Sequence, residues 1–314
     1  MRFNRLFPAL AATVVLLAVI LACGGDDDDT SGATTPATTA ATVDYPMTLT
    51  DDGGTEVTLE TQPQRIVALA PSFVEVLFEI GAVDTIVAAD ENTDEPPEAS
   101  SIPKVSGFEP SVEGIASYQP DLVLMCCSDA GGLQGALTQL DIPTMYFDTP
   151  TTVEGVYDQI QTIGAAVGHP DEAADVVSQM QSDIDAIVST VGQTPGPGVF
   201  FELDPGLFTV GPGSFTDEVL TLLGASNVAE ATGAAYPQMT AEAIIASNPE
   251  VIILADADFG ESPETVAARP GWSDIGAVQN NRIYPVTGGF LNHASPRLVE
   301  DIHELAALLY PEIF

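Results

Sequence analysis

The chain has 314 residues, 45% of them hydrophobic, enough for two domains of ordinary size with substantial cores. It carries 46 acids against 7 bases, a formal net charge of −39. That balance makes nucleic acid and anionic membrane surfaces poor partners, and its simplest reading is a solvated acidic surface.

Arg2 and Arg5 precede an apolar run, Phe7 to Ala22, whose 16 residues are short for a membrane span and right for the core of a signal peptide. The run ends in Leu21-Ala22-Cys23-Gly24, which looks like a bacterial lipobox. The expectation is a signal peptide over 1–22, with Cys23 lipid-modified as the new N-terminus; a plain secretory signal is the alternative. Residues 24–43 hold Gly-Gly, Asp26 to Asp29 and a Ser/Thr/Ala/Gly/Pro stretch that cannot form a core. Residues 23–44 therefore read as a flexible tether, which places the folded body outside the membrane. Beyond the leader only Arg65, Lys104, Arg269, Arg282 and Arg297 remain as bases.

Thr48-Leu49-Thr50 and Val57-Thr58-Leu59 flank Asp51-Asp52-Gly53-Gly54, a hairpin pattern. Residues 65–70 read as a buried strand, and Pro71 opens a helix in which Ser72 and Glu75 form a capping box. Strands follow at 86–89, 122–125 and 144–147, interleaved with helices after Ser111, over 133–140 and over 152–167. From Pro170 to Gly192 the apolar residues Ala173, Val176, Val177, Met180, Ile184, Ile187, Val188 and Val191 make one helical stripe. Such a helix is ~33 Å long. Beyond it the pattern resumes with strands at 199–203, 251–253 and 283–286, and a closing helix from Pro296 to about Tyr310.

The two flanks echo one another. Val112-Glu113-Gly114-Ile115 leads to Pro120-Asp121-Leu122-Val123, and Ala241-Glu242-Ala243-Ile244 leads to Pro249-Glu250-Val251-Ile252, with the same spacing from Glu to Pro. The expected fold is α/β: an N-terminal lobe over 45–168, a linking helix over 169–193 and a C-terminal lobe over 194–314, each lobe a parallel sheet. The alternative is one larger sheet with 170–192 as an ordinary crossover. Ligands of parallel sheets sit beyond the C-terminal strand ends, so the loops after Ala70, Ala89, Met125, Leu203, Ala255 and Val286 should face one cleft.

Catalytic constellations are missing. There is no HExxH, GxSxG or P-loop, and the three histidines are His169, His293 and His303. The chain therefore reads as a binding protein rather than an enzyme, with no resident metal or cofactor. His293 alone lies in a cleft loop. Cys126 and Cys127 lie at another strand end; two buried thiols are the first reading, and a vicinal disulfide or a thiol contact with ligand are the others. Phe108, Phe208, Tyr236 and Phe290 fall at expected rim positions and suit a wide, flat, partly apolar ligand. Arg65 and Arg282 start strands and point away from the cleft, and Arg269 precedes Pro-Gly in a surface turn, which leaves Lys104 and Arg297 to reach the site. Glu113 and Glu242 offset helix dipoles in the plainest reading, but their matched placement suits pairing with arginines of a two-fold symmetric partner.

Six motifs taken together carry a resemblance: Pro63-Gln64-Arg65-Ile66-Val67, Pro71-Ser72 with Glu75, Asp94-Glu95-Pro96-Pro97, Pro120-Asp121-Leu122-Val123, Tyr236-Pro237-Gln238 and Ala294-Ser295-Pro296-Arg297. Over residues 45–314 the chain resembles the substrate-binding lipoproteins of ABC importers for iron complexes and vitamin B12, nearest in pattern to the vitamin B12 branch. The resemblance implies two Rossmann-like lobes on one rigid helix with little hinge closure. It implies a monomer, anchored extracytoplasmically at the cell membrane through Cys23, that serves a permease dimer and its ATPase. It places the permease-docking acids on Glu113 and Glu242 and the ligand-facing aromatics on Phe108, Phe208, Tyr236 and Phe290. This chain departs from the pattern at Asn92, where a tyrosine is expected, at Cys126-Cys127, where a tryptophan is, and near Gly289, where an acid is. The implied function is capture of a corrinoid for import. The alternatives are a ferric siderophore or haem, in each case a ligand that is itself a metal complex, and less closely a lipid-anchored sensor or enzyme.

Overall fold

Strand β1 (Met47–Thr50) and strand β2 (Glu56–Leu59) pair antiparallel around the Asp-Asp-Gly-Gly turn. The computed structural model describes residues 43–129, 132–286 and 289–314. The expected signal peptide, Cys23 and nearly all of the tether lie outside them.

The N-terminal lobe continues with β3 (Ile66–Ala68), α1 (Pro71–Glu79), β4 (Ile86–Asp90), β5 (Lys104–Val105), α2 (Val112–Ser117), β6 (Leu122–Cys126), α3 (Leu133–Thr138), β7 (Thr144–Phe147) and α4 (Val153–Val167). Its sheet has the order β5-β4-β3-β6-β7, every pair parallel. The long helix α5 (Pro170–Val191) follows. The C-terminal lobe contains β8 (Gly198–Glu202), α6 (Phe215–Leu222), β9 (Ser226–Asn227), α7 (Ala241–Ser247), β10 (Val251–Leu254), α8 (Pro263–Ala267), α9 (Gly276–Gln279), β11 (Ile283–Pro285) and α10 (Leu298–Leu309). Its sheet, β11-β10-β8-β9, is again all parallel. The two sheets are separate, so α5 joins two lobes and is not a crossover within one sheet.

Both sheets reverse their winding at the same place. The first strand of each, β3 and β8, has an earlier successor on one side (β4, β9) and a later one on the other (β6, β10). The crevice between diverging connections opens there, beyond the C-terminal strand ends. Strands β3 and β10 are buried along their whole length, as sheets covered on both faces require.

The helix starts show why each element begins where it does. Ser111 Oγ accepts from Gly114 N at 3.1 Å and opens α2; Thr240 Oγ1 accepts from Ala243 N at 3.2 Å and opens α7. Helix α1 differs from expectation. Its N-cap is Ala70 and no side chain caps it. Pro71, which needs no amide partner, takes the first helical position, so Ser72 is already inside and Glu75 is drawn to another partner.

Helix α5 buries Ala173, Val177, Met180, Ile184, Ile187 and Val191 against α4 and α10. Gly164 permits the tightest crossing: a Cβ there would stand 2.3 Å from Cβ of Ala173. One apolar cluster runs from Leu59, Phe73 and Ile160 through Met180 and Ile184 to Phe201, Leu220 and Leu305, so the lobes and α5 share a core. Smaller clusters cover the outer faces, around Val123 and Leu137 in one lobe and around Phe200, Ile252 and Trp272 in the other. Each such side chain contributes roughly 1.5–3 kcal/mol when fully buried.

Candidate functional site

Two adjoining cavities open between the lobes. The one of ≈790 Å³ lies mainly against N-terminal loops and takes in Ala70, Asn92, Cys126 and Asp148. The other, of ≈590 Å³, lies against Phe201, Leu203, Val210, Tyr236, Ala255 and Phe290. Cys127, Thr149, Pro150, Asn292, His293 and Ala294 line both and mark the middle of one cleft.

Six of the eight expected ligand positions come together here: Asn92, Cys126, Cys127, Tyr236, Phe290 and His293. Phe108 and Phe208 line neither cavity. Phe108 is 84% exposed on the loop before α2, and Phe208 is 40% exposed where it bridges to Gln238. Phe290, at 8% exposure, gives most of its ring to the core.

The loop carrying Asn92 is pinned from below. Asp90 is buried, and its carboxylate accepts from Asn92 N and from Gly107 N, both at 2.8 Å. Only glycine fits at 107, where a Cβ would meet Leu69 O at 2.5 Å. Cys126 and Cys127 are disulfide-bonded to each other, which corrects the reading as separate thiols. Neighbouring strand residues normally point to opposite faces. Strand β6 ends at Cys126, and Cys127 turns to φ 70, so the two sulfurs meet.

The loop after β7 was not anticipated. Asp148, Thr149 and Pro150 wall the cleft, as the strand-end rule implies once β7 is counted among the central strands. Gln159 of α4 was missed as well. It is buried, lines the cleft and leaves Oε1 without a partner among the described residues.

Glu75 explains the lost capping box. One of its oxygens accepts from Ser295 Oγ, and the other from Arg297 at 3.1 Å, 222 residues away. This clasp ties α1 of the first lobe to the segment that opens α10. A second tie runs from Val153 N, at the start of α4, to Glu218 of α6 at 2.8 Å. Burial outweighs that hydrogen bond and raises the Glu218 carboxyl above its usual range.

His293 Nδ1 lies 2.8 Å from Asp301 Oδ2, which also accepts from Leu291 N at 3.0 Å. The bond to Asp301 is the main cause that raises the imidazole above its usual value, against burial. The other two histidines lie elsewhere: His169 at the start of α5 near Glu172, and His303 on α10 against the Phe314 ring.

Among the described residues the basic side chains are all committed. Arg65 donates to the carbonyls of Tyr118 and Gln119, and Arg282 to those of Leu308 and Leu309. Lys104 does not reach the cleft as expected; its ammonium serves the carbonyls of Thr93 and Ala99 at 2.8 and 3.2 Å. Arg269 is not in an open surface turn. It is drawn in by the fully buried Glu202, by Glu261 and by the Trp272 ring 4.7 Å away. Among the described basic residues Arg297 alone lines the cleft, and Glu75 pairs with it. Glu113 and Glu242 sit exposed at corresponding turns of α2 and α7. Among the described residues no group of three or more His, Cys, Asp or Glu could hold a bare metal ion, and no helix is long and apolar enough to cross a membrane.

Two parallel-sheet lobes on one shared helix thus leave a cleft at both switch points. The periplasmic binding protein family matches residues 66–287. The uncharacterized ABC transporter substrate-binding lipoprotein YvrC of Bacillus subtilis is 34% identical over 86% of this chain and 87% of its own. A cobalamin-binding protein of Halobacterium salinarum is 29% identical over 83% of this chain and 73% of its own. The solved periplasmic heme-binding protein RhuT of Roseiflexus superposes with a TM-score of 0.71 at 22% identity, over 80% of this chain and 99% of its own, a likeness of fold alone. The chain belongs to the periplasmic binding protein family, as a solute-binding component of an ABC importer.

Proposed function

We propose that this protein captures a corrinoid, a vitamin B12-like macrocycle, and delivers it to an ABC importer. The observation that carries the reading is the charge of the cleft. Glu91, Asp94, Glu95 and Asp148 line its N-terminal half, while Arg297 is already paired with Glu75. A polyanionic ligand, such as a catecholate siderophore or the paired propionates of haem, meets repulsion here. A corrinoid is rimmed by neutral carboxamides whose N–H groups suit these carboxylates. The breadth of the two joined cavities and the apolar contribution of Tyr236, Phe290 and the Cys126–Cys127 disulfide suit its flat ring. The cobalamin-binding relative points the same way.

In this reading Cys23 carries the lipid anchor, the folded body lies outside the membrane, and Glu113 and Glu242 dock on a permease dimer. The test is equilibrium binding of cyanocobalamin, aquocobinamide, ferric haem and a neutral ferric hydroxamate to the full chain in detergent. We expect the two corrinoids to bind tightly and to raise the melting temperature. A ligand at 100 times its Kd adds about 2.7 kcal/mol. Preference for haem or hydroxamate over both corrinoids would replace the corrinoid assignment with the corresponding alternative.

A further inference from the structure

We infer that the Cys126–Cys127 disulfide is a redox latch on the ligand cleft: oxidised, it holds the turn after β6 in its binding conformation, and reduced, it lets that turn relax and weakens the hold on the ligand. The inference rests on the proposed function in one respect, since it takes the cleft to be where the cargo is held. It does not depend on which macrocycle the cargo is.

The pair sits at the seam of the site. Both cysteines line the N-terminal half of the cleft, and Cys127 lines the C-terminal half as well. Cys126 packs partly against the core while Cys127 is exposed, so a small dithiol entering the cleft meets Cys127 first. A change in the position of Cys127 alters the wall that both halves share.

The backbone shows what the disulfide restrains. Cys127 N donates to Phe147 O at 2.9 Å, which carries the ladder between β6 and β7 one step beyond Cys126. Extended backbone at this point would send the Cys127 side chain to the face opposite Cys126. The chain folds back instead. Ser128 N donates to Cys126 O at 2.8 Å, and Cys127, at the centre of this three-residue turn, takes φ 70. Such turns are rare and strained, and a residue with a Cβ avoids positive φ. A cysteine stays there because ring closure with its neighbour holds it. Opening the bond removes that restraint, so Cys127 returns to an ordinary φ and its sulfur leaves the seam. The binding conformation is then only fractionally populated, and the apparent affinity falls by that fraction.

The chemistry is thiol–disulfide exchange with a small dithiol. One thiolate of the dithiol attacks a sulfur of the pair, the Cys126–Cys127 bond breaks, and a mixed disulfide forms. The second sulfur of the dithiol then displaces the cysteine. Two electrons and two protons pass to the protein, which ends with two thiols, and the reductant leaves as a cyclic disulfide.

The test is equilibrium binding of cyanocobalamin and of ferric haem to the full chain in detergent, before and after treatment with dithiothreitol that is then removed by gel filtration without oxygen. The reduced protein should bind the retained probe about 10-fold more weakly, as release of a strained left-handed residue implies, and reoxidation should restore the affinity. Cys126→Ser with Cys127→Ser should bind like the reduced protein and ignore dithiothreitol. Cys126→Ala with Cys127→Gly should regain most of the lost affinity without a disulfide, because glycine accepts φ 70 freely. Equal affinity of the oxidised and reduced protein overturns the latch and leaves the proposed function standing. So does a glycine variant that binds no tighter than the serine one, which would make the disulfide a contact surface and not a restraint. A redox-dependent affinity seen with haem alone supports the latch and replaces the corrinoid assignment. Retention of neither probe by the oxidised protein overturns both.

Discussion

Glu75 is 5% exposed, yet its carboxylate holds both Ser295 and Arg297 across the interval between the lobes. Removing it strands the hydroxyl and an arginine, so Glu75→Ala should lower stability by about 1–3 kcal/mol, while Glu75→Gln, which can still accept one bond, should lose less. Chemical denaturation of the two variants checks this. The position was legible as part of a motif but was assigned to a capping box, because the sequence shows Ser72 and Glu75 at the right spacing and cannot show a partner over two hundred residues on. Asp256 makes the opposite case. It is fully buried at the end of β10 with neither oxygen in a sound hydrogen bond. Burial first, and the Glu202 charge second, raise its carboxyl to about 6. A carboxyl whose native pKa lies above its unfolded one binds its proton sooner in the native state, so stability falls as pH rises from about 4 to about 6 and stays lower above. Asp256→Asn should therefore stabilise the protein at pH 7, by on the order of 2 kcal/mol, and flatten that part of its stability–pH curve. Thermal unfolding from pH 4 to pH 8 measures both. Nothing in the local sequence marks Asp256, since its burial comes from chain that arrives later.

At the scale of elements, α5 was readable end to end. Pro170 starts it, Asp171 and Glu172 offset its dipole, and Gly192 stops it. Strands β3, β6 and β10 were readable for a similar reason, as short apolar runs between turn residues. The short pieces β5 and β9, of two residues each, were not, because so few side chains give no period. The closeness of α4 to α5 was equally hidden, since Gly164 looks like any other small residue inside a helical stripe. Glycine substitutions separate the two situations. Gly164→Ala must push against Ala173 Cβ and His169 O, 2.3 and 2.9 Å from the new methyl, and should cost about 1–3 kcal/mol. Gly135→Ala in α3 meets nothing within 4 Å and should raise stability by about 0.5–1 kcal/mol, the ordinary gain of alanine over glycine in a helix. Opposite shifts in melting temperature are the expected result.

For the molecule as a whole, the internal repeat was the informative signal. It located Glu113 and Glu242 at matching exposed turns of α2 and α7, each just past a Ser or Thr cap. If a permease dimer engages both, charge-assisted contacts of roughly 1.5–3 kcal/mol each should compound, and Glu113→Ala with Glu242→Ala should abolish uptake while ligand affinity stays intact. Normal uptake with only a lowered melting temperature would reduce both acids to helix-dipole partners. The cleft was legible as a set of strand ends, but the side chains that hold it together were not, because the clasp at Glu75 and the Asp301 support of His293 join parts of the chain that only the fold brings near. The apolar cluster that passes without a break from Phe73 through Met180 to Leu305 carries a thermodynamic consequence. Neither lobe can melt and leave the other its full complement of buried surface. The protein should unfold in one all-or-none step, with a calorimetric enthalpy equal to its van't Hoff enthalpy, and a ligand touching only one wall of the cleft should still move the whole transition.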